Sequence, residues 1–395
     1  MRVVSIHQYD PLIPNVGGIG TFIHTFIKYA PPDIEIDLVG VSNSDNVPLG
    51  KWQALKAGDK PYRFLPLVDA HPIRRGRIPL NLRLTWALGH SKAIDFRDAL
   101  IEIHRIEPAM VLGNRKNPKV LFMHAHSMDL YNPKTEVVWK HCPWLYFWIE
   151  DHFIGKMNKV FIVREDAVAF YRKRHPGKAS QISFLPTWSD EDVFVSLAEI
   201  DRRREKENLA RIHGLNPAHR WLLFVGRFEG QKDPKLLLES FRCLNGQAAN
   251  SDLIMIGEGS LEPEIRSFIS EHNLTKRVHF VGPQSQKGIA RWMNASDLLV
   301  LSSAFEGMPR VVVESLQCGL PVVSTDSGEA KRLVSNSSVG QIVQERNPEI
   351  FSRAVVTVLN QRPDRRACQE QAAPFTARKI LEQVYSVYRE LKGKQ

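Results

Sequence analysis

Residues 304–328, AFEGMPRVVVESLQCGLPVVSTDSG, constrain the fold more than any other stretch of this chain. They follow the apolar run Leu298–Leu301, whose composition is typical of a parallel strand buried on both faces. Pro309 suits the first turn of a helix, Gly319 suits the position just past its end, and Val322–Thr325 has the composition of another strand. The stretch therefore predicts strand, loop, helix and strand. The free N–H groups and positive dipole end of this helix would form an anion site.

Two carboxylates frame this anion site. Glu306 lies in the predicted loop, and Glu314 lies at least one turn into the predicted helix. A sugar nucleotide explains both features, because its diphosphate needs N–H groups and cations while its hydroxyl groups need acceptors. We interpret Glu306 as an acceptor for hexose hydroxyls and Glu314 as an acceptor for the ribose. Either glutamate alone is more often a solvated surface group, so the interpretation depends on the pair and its context.

The pattern FEG-x-P-x4-E-S-x2-CGLPVVSTD-x-G resembles the E-x7-E signature of the retaining GT-B glycosyltransferases of group 1, or family 4. The resemblance implies an α/β fold of two Rossmann-like, doubly wound domains that face a cleft, with the last helix crossing back to the first domain. It also implies metal-independent transfer of a hexose from a UDP- or GDP-linked sugar, with no cofactor. The resemblance covers nearly the whole chain, is strong over residues 221–328 and is weak over residues 51–108.

Length and composition agree with a two-domain enzyme. A chain of 395 residues exceeds the usual size of a single hydrophobic core. We predict a first domain at residues 1–190 together with about 376–395, and a second at residues 191–375. No signal peptide and no apolar run of about 18 residues is apparent. The four cysteines are scattered without a C-x2-C pair, which argues against a zinc site and fits a reducing cytoplasm.

The formal net charge of +10 is unevenly distributed. Residues 1–190 carry 25 Lys/Arg against 18 Asp/Glu, a net of +7, and the remainder carries 28 against 25, a net of +3. This basic half would suit a lipid surface, a lipid-linked phosphate, an acidic glycan or a nucleic acid, although plain solubility explains the charge equally well. The candidate acceptor or membrane contacts are Arg74, Arg75, Arg77, Trp139 and Trp144. A solvated loop and core packing are the alternatives for these residues.

Alternating elements in the first half predict a parallel, doubly wound sheet. The predicted strands are Val3–Ile6, Ile36–Val41, Tyr62–Leu67, Ala109–Leu112 and Val120–Met123, and the predicted helices are Thr21–Tyr29 and Ala93–Ile106.

Two features of the first half carry candidate site residues. Gly17 and Gly18 lie between the first strand and its helix, a phosphate-facing arrangement that a tight turn explains equally well. In the resembled family, a glycine loop at this place closes over the donor phosphates. His124 follows the Val120–Met123 strand, and the resemblance implies that it touches the donor hexose; His126 is the alternative. The H-x-H pair lacks a third ligand at helical spacing, so we expect no zinc.

In the second half, a strand at Trp221–Val225 is followed by Gly226, Arg227 and Lys232. Arginine supplies a fork and lysine a point charge for phosphate oxygens, and the family's G-R-x4-K pattern implies diphosphate binding. The remaining donor-binding candidates implied by the resemblance are Gly257, Gly282, Gly307, Met308 and Pro309. The family commonly has a second glycine where this chain has Glu329, which leaves the role of the Gly328–Glu329 loop open.

The catalytic residues we predict are His124, Arg227, Lys232 and Glu306. Arg227, Lys232 and the helix N-terminus would stabilise the departing diphosphate, and the resemblance implies front-face attack with the leaving phosphate as base. The partners we expect are a nucleotide-sugar donor, a glycan or lipid-linked acceptor of the cell envelope or an exopolysaccharide, and an anionic membrane surface. We expect no nucleic acid. A nucleotide-sugar 2-epimerase and a basic, non-catalytic polyanion-binding protein remain as alternatives.

Overall fold

The computed structural model describes residues 1–13, 18–44, 47–71, 78–124, 126–135, 138–244, 250–361 and 363–393. The chain forms two compact units. The first contains the N-terminal strand, Ile19–Pro186 and Ala377–Gln395, and the second contains Thr187–Thr376. Within the described residues, no helix is both long enough and apolar enough to cross a bilayer.

The first unit is built on a sheet to which the described residues contribute eight strands. They are β1 (Arg2–Ile6), β2 (Glu35–Ser42), β3 (Gln53–Ala57), β4 (Lys60–Asp69), β5 (Ala99–Ile103), β6 (Lys119–Met123), β7 (Lys159–Ile162) and β8 (Ile182–Phe184). The spatial order is β3-β4-β2-β1-β5-β6-β7-β8, and all neighbours are parallel except β3 and β4. The helices are α1 (Gly18–Lys28), α2 (Leu80–His90), α3 (Ala109–Leu112), α4 (Pro143–Ile154) and α5 (Glu165–Arg174). Because the chain moves outward in both directions from β1 and β5, the sheet is doubly wound, as predicted.

Two predicted elements of this unit are wrong. The helix predicted at Ala93–Ile106 contains the central strand β5, and the strand predicted at Ala109–Leu112 is helix α3. Every residue of β5 is buried, including Glu102. In the sequence, a glutamate among apolar residues looks like the polar face of an amphipathic helix. A short apolar run does not by itself distinguish a buried strand from a helix, and tertiary pairing decided both cases.

The second unit contains a parallel sheet in the order β11-β10-β9-β12-β13-β14, counted over the described residues. Its strands are β9 (Arg220–Val225), β10 (Ser251–Ile256), β11 (Val278–Phe280), β12 (Leu298–Leu301), β13 (Val322–Thr325) and β14 (Gly340–Val343). Its helices are α6 (Glu199–His213), α7 (Pro234–Arg242), α8 (Glu262–Glu271), α9 (Gln286–Ala295), α10 (Arg310–Gln317), α11 (Ala330–Leu333), α12 (Pro348–Gln361) and α13 (Arg365–Ala372). The strand, loop, helix and strand predicted around residues 298–325 are confirmed.

The last helix, α14 (Ala377–Gly393), packs on the first unit. The Tyr385 hydroxyl donates to the carbonyl oxygen of Phe26, and the Arg389 guanidinium lies 2.7 Å from the Asp33 carboxylate. Tyr385 and Tyr388 are almost fully buried there. The predicted return of the C-terminal helix to the first domain is confirmed.

Candidate functional site

The candidate site of the second unit lies where the strand order reverses. From β9 the chain moves to β10 and β11 on one side, and from β12 it moves to β13 and β14 on the other. The loops that follow β9 and β12, residues 226–233 and 302–309, leave the carboxyl ends of two neighbouring parallel strands. Doubly wound sheets commonly bind ligands in the crevice at such a point.

Hydrogen bonds hold these two loops together. The Ala304 N–H donates to the Gln231 carbonyl oxygen at 2.7 Å, and the Gln231 side-chain amide donates to the Phe305 carbonyl oxygen at 3.2 Å. The Ser302 hydroxyl donates to the Lys232 carbonyl oxygen at 2.8 Å. The two loops therefore act as one scaffold for the side chains that they carry.

Arg346 ties the same loops together from the segment after β14. Its guanidinium donates to the carbonyl oxygens of Ser303 at 2.7 Å and Ser302 at 3.0 Å, and it also donates to the Asp233 carboxylate. Asp233 in turn caps α7. Sequence reasoning missed Arg346, because no local pattern links an arginine beyond the last strand to these loops.

Lys232 and Glu306 form a close ion pair inside this scaffold. The lysine Nζ lies 2.5 Å from Glu306 Oε1, and the two side chains are 17% and 9% exposed. The Ser303 hydroxyl donates to the same oxygen at 2.6 Å. Sequence reasoning identified both members of the pair and missed Ser303, three residues before the glutamate. The arrangement offers a cation and a carboxylate side by side, which suits a ligand with both anionic and hydroxyl groups.

Arg227 differs from Lys232 in its surroundings. It lies on an exposed part of the loop after β9, and its Nη2 is 3.4 Å from the Gln231 side-chain oxygen, a long hydrogen bond. An arginine held this weakly can reorient toward a phosphate at little cost in lost hydrogen bonding.

Helix α10 begins beside Glu306. Pro309 occupies the N-cap position, not the first turn as predicted, and no side chain caps the helix. Within the helix, Arg310 Nε donates to Glu314 Oε1 at 2.8 Å, and both residues are buried. Burial raises the pKa of Glu314, and the Arg310 guanidinium opposes that rise. Glu314 therefore has a cationic partner four residues away, a helical spacing that is readable in the sequence.

Met308 lies between Glu306 and α10. Its side chain is buried, and its sulfur accepts a hydrogen bond from the Thr187 N–H at 3.2 Å. The Met308 side chain therefore packs within the second unit, where it anchors the loop to the segment after β8.

Gly226, Gly257 and Gly282 lie just after the carboxyl ends of β9, β10 and β11. Gly257 has φ +137°, and a Cβ on it would lie 2.0 Å from the Gly226 carbonyl oxygen. The Gly257 N–H also donates to the Gly282 carbonyl oxygen at 3.3 Å. Glycine is required at Gly257 by its own backbone geometry and by this close approach.

The Gly328–Glu329 loop supports the site through its backbone. Gly328 has φ +56°, and a Cβ on it would lie 2.1 Å from the Gly307 carbonyl oxygen. The Glu329 N–H donates to that same oxygen at 2.9 Å, and the Glu329 side chain pairs with Arg332. The loop therefore fixes Gly307 from behind, and the Glu329 side chain serves the start of α11.

In the first unit, His124 follows β6 and belongs to a buried polar cluster. Its Nε2 lies 3.0 Å from Nδ1 of His104, a residue that follows β5. Burial lowers the pKa of His124 to about 3, with smaller contributions from His104 and Arg105. His126, the alternative candidate, instead accepts a hydrogen bond from the Met128 N–H at 3.1 Å and caps a short helical turn. Sequence reasoning missed His104 because the strand before it was assigned as helix.

The remaining candidates among the first 190 residues have varied environments. Gly18 begins α1 with open space beside it, whereas Gly17, Arg74, Arg75 and Arg77 lie outside the described residues.

The two candidate tryptophans differ in exposure. Trp144 is 72% exposed on α4. Trp139 was predicted to contact the acceptor, but it is buried in the core of the first unit, and its indole N–H donates to Glu107 Oε1 at 2.9 Å. The structure therefore gives Trp139 a packing role, because a buried ring with a satisfied N–H has no face available for stacking.

Comparisons with known proteins find relatives of this chain. The model of the family "Glycosyl transferases group 1" matches residues 205–374, which cover the six strands of the second unit. A D-inositol 3-phosphate glycosyltransferase of Jonesia denitrificans is 27% identical over 166 residues, which span 40% of this chain and 39% of that relative. The chain therefore aligns with about two fifths of that protein's length.

Solved structures resemble the whole chain. The sucrose-phosphate synthase of Thermosynechococcus elongatus superimposes with a TM-score of 0.83 at 19% identity, over 100% of both chains. The HepE protein of Anabaena, in complex with UDP and glucose, superimposes with a TM-score of 0.70 at 16% identity, over 98% of this chain and 99% of that one. These similarities establish the GT-B fold.

Proposed function

We propose that this GT-B chain, whose residues 205–374 match the family model of the group 1 glycosyl transferases, transfers a hexose from a nucleoside diphosphate sugar to an acceptor hydroxyl. The observation that carries the proposal is the Lys232–Glu306 pair, which lies at the strand-order reversal, next to the uncapped N-terminus of α10. A pyrophosphate and a sugar ring require these two kinds of group at adjacent positions. UDP is a suitable nucleotide because the HepE structure contains UDP, and GDP is the alternative.

Each site residue then has a chemical role. Lys232, Arg227 and the N–H groups at the start of α10 stabilise charge that develops on the leaving diphosphate. When a donor binds, Lys232 moves its hydrogen bonds to the phosphate and Glu306 becomes an acceptor for hexose hydroxyls. Glu314 accepts from the ribose while Arg310 neutralises it, and His124 contacts the hexose. We propose retention of configuration, with the leaving phosphate as base and no metal ion.

Nucleotide release tests this function. The protein is incubated with UDP-, GDP- and ADP-sugars, with and without EDTA, and free nucleotide and the sugar products are measured. The expected result is release of one nucleotide that EDTA does not reduce, with an α-linked product from an α-linked donor. An epimerised sugar would instead indicate a 2-epimerase. Inertness toward every donor, with salt-sensitive binding to polyanions, would refute the proposal.

A lipid-linked acceptor at an anionic membrane is the partner that we propose. Trp144 and Trp148 lie one turn apart on α4 and are 72% and 63% exposed. Large exposed tryptophans are typical of surfaces that meet the polar–apolar boundary of a bilayer. The first 190 residues also carry the +7 charge that an anionic surface would attract.

Sedimentation with vesicles of mixed neutral and anionic lipid tests this partner. Trp144→Ser combined with Trp148→Ser, and separately Arg74, Arg75 and Arg77 changed together to serine, should each reduce the bound fraction. Trp86→Ser is the matched control, since Trp86 is an equally exposed tryptophan, 67%, on α2. Unchanged partitioning in the first two variants would contradict a membrane-bound acceptor.

A further inference from the structure

A row of histidines lies at the centre of the first unit. His7 follows β1, His104 follows β5 and His124 follows β6, so three adjacent parallel strands each end in a histidine. The strand order reverses at β1 and β5, which makes this edge the ligand edge of the first sheet. Nothing in the functional assignment above uses His7, His104 or the buried Glu102.

Glu102 begins the chain of contacts. Its Oε1 accepts hydrogen bonds from the Ser5 hydroxyl at 2.8 Å and from His104 Nε2 at 2.8 Å. Its Oε2 accepts from the Tyr388 hydroxyl of α14. Glu102 and His104 have fully buried side chains. A buried carboxylate that receives three donors holds the proton of His104 on Nε2.

The tautomer of His124 follows from that proton. In the tautomer of His104 that donates from Nε2 to Glu102, Nδ1 carries the lone pair, and this nitrogen faces His124 Nε2 at 3.0 Å. The two rings are nearly parallel, at 7°, with centroids 5.3 Å apart, as expected for a hydrogen bond in the plane of both rings. His124 therefore donates from Nε2 and keeps the lone pair on Nδ1.

Aromatic side chains hold both rings in place. Phe122 stacks on His104 with centroids 5.1 Å apart, and Phe22 packs edge-on against His124 at 4.8 Å. Because neither ring can turn without displacing these neighbours, the direction of each hydrogen bond is fixed.

His7 lies on the other side of His104. Its ring meets the His104 ring edge-on at 5.1 Å, and its Nδ1 is buried with no hydrogen-bond partner in the described part of the chain. A buried ring nitrogen of this kind is satisfied when a polar ligand group arrives. His7 therefore places a further ring nitrogen beside His104 at the same edge of the sheet.

We propose that Glu102 and His104 are positioning residues that set the tautomer of His124, so that His124 Nδ1 accepts a hydrogen bond from a sugar hydroxyl. This inference rests on the proposed function only for the identity of the hydroxyl. The tautomer of His124 is set by contacts within the protein and does not depend on a bound ligand. If His124 carried its proton on Nδ1, it would donate to the sugar hydroxyl instead of accepting from it, and the direction of this hydrogen bond would be reversed.

The tautomer is measured directly by ¹⁵N–¹H correlation spectra of the histidine rings in the full-length protein at pH 7. In the unaltered protein, His124 should show the pattern of a neutral ring protonated on Nε2. His104→Phe keeps an aromatic ring at this position and removes both nitrogens, so His124 should become a mixture of tautomers. His104→Gln retains an acceptor toward His124 and should restore the single pattern. His90→Phe, a change of an exposed histidine in the same unit, should leave it unaltered.

Activity gives a second readout. Loss of the acceptor leaves the buried His124 N–H unsatisfied, and kcat should fall by about tenfold or more in His104→Phe, with partial recovery in His104→Gln.

Protonation of His124 at Nδ1 in the unaltered protein, or a tautomer unaffected by His104→Phe, would overturn the inference. If His104→Phe does not fold, the Glu102→Leu and His104→Gln spectra decide. Glu102→Leu removes the acceptor of the His104 Nε2 proton, so it should populate the second tautomer of His124, and an unchanged pattern there overturns the inference. A correct tautomer in a protein that releases no nucleotide would refute the proposed function alone.

Discussion

Lys232 and Glu306 are 74 residues apart in the chain, yet their charged atoms are 2.5 Å apart. Each neutralises the other in the absence of a ligand, which lowers the cost of holding a cation and a carboxylate in a half-buried place. A donor sugar would replace this contact with two others, phosphate on the lysine and hydroxyl groups on the glutamate. The pair thus holds one positive and one negative group side by side at the ends of β9 and β12.

Replacing Lys232 should reveal its role in catalysis. Lys232→Ala is expected to reduce kcat by about 10²-fold or more, because one preorganised donor to developing charge is lost. Lys235→Ala, which removes an exposed lysine three residues later on α7, should leave the rate unchanged. Steady-state nucleotide release measures both variants. Equal rates for the two would contradict the assignment of Lys232.

Glu150 is a single residue that should make the stability of the protein depend on pH. Its carboxyl group accepts hydrogen bonds from Ser127 at 2.6 Å and from Tyr171 at 2.7 Å, yet burial raises its pKa from 4.5 to about 7. The native state therefore binds more protons than the unfolded state between about pH 4.5 and 7. Across that window the contribution of Glu150 to stability is lost as pH rises.

Glu150→Gln should remove this pH dependence. The free energy of unfolding of the unaltered protein is expected to fall by about 3 kcal/mol more than that of the variant between pH 5 and 8, at about 1.4 kcal/mol per pKa unit. Urea titrations at the two pH values measure the difference. The exposed Glu390→Gln is the control, and parallel curves for Glu150→Gln and the unaltered protein would show that Glu150 is ionised in the fold.

Among the elements, the loops after β9, β12 and β13 form one support for the site. The β9 and β12 loops bond to each other, Arg346 bonds to both, and Gly328 lies against the backbone of Glu306 and Gly307. The segment that departs from the resembled family, Gly328–Glu329, keeps the one glycine that this contact requires. Its second position needs only a backbone N–H, which glutamate supplies as well as glycine does.

Gly328→Ala should disturb this support. The added Cβ would lie 2.1 Å from the Gly307 oxygen at a φ of +56°, so the loop must move or the backbone must strain. We expect a loss of about 1–3 kcal/mol in stability and a fall in kcat, measured by urea unfolding and nucleotide release. Gly177→Ala, at a glycine with open space around it, should change neither. Full activity in Gly328→Ala would show that the loop is not held by this contact.

At the scale of the whole molecule, the chain order and the packing order differ. The first unit is completed only by α14, which follows the entire second unit in sequence. The first unit cannot finish its core until α14 is made, whereas residues 187–376 of the second unit form one uninterrupted stretch of the chain. Stability of the first unit should therefore depend on α14 more than stability of the second does.

Tyr385→Ala tests this dependence. Tyr385 is 1% exposed and packs against Phe26 with centroids 5.1 Å apart, so truncation should cost the first unit about 3–5 kcal/mol. Hydrogen exchange, followed separately in the two units, should show faster opening in the first unit only. Glu382→Ala, at an exposed position of the same helix, is the control. Equal acceleration in both units would contradict independent cores.

Local patterns determined much of this protein without help from the fold. The strand, loop and helix around Glu306, the glycines after β9 and β10 and the carboxyl-end position of His124 could all be predicted. Each depends on residues within a few positions of one another and on the backbone preferences of glycine and proline. The Arg310–Glu314 pair was equally readable, since helical spacing alone brings the two together.

Tertiary structure decided everything that depends on distant pairing. It made Ala99–Ile103 a central strand, buried Trp139 against Glu107, brought Arg346 to the site loops and connected Glu102 through His104 to His124. A buried apolar run has no periodicity that reveals its neighbours, and a polar side chain shows its partner only once the sheet order is known. The sequence thus determined several of the residues that follow the carboxyl ends of the strands, but not His104, because β5 was predicted as a helix. Only the packing of the strands decided which of them meet.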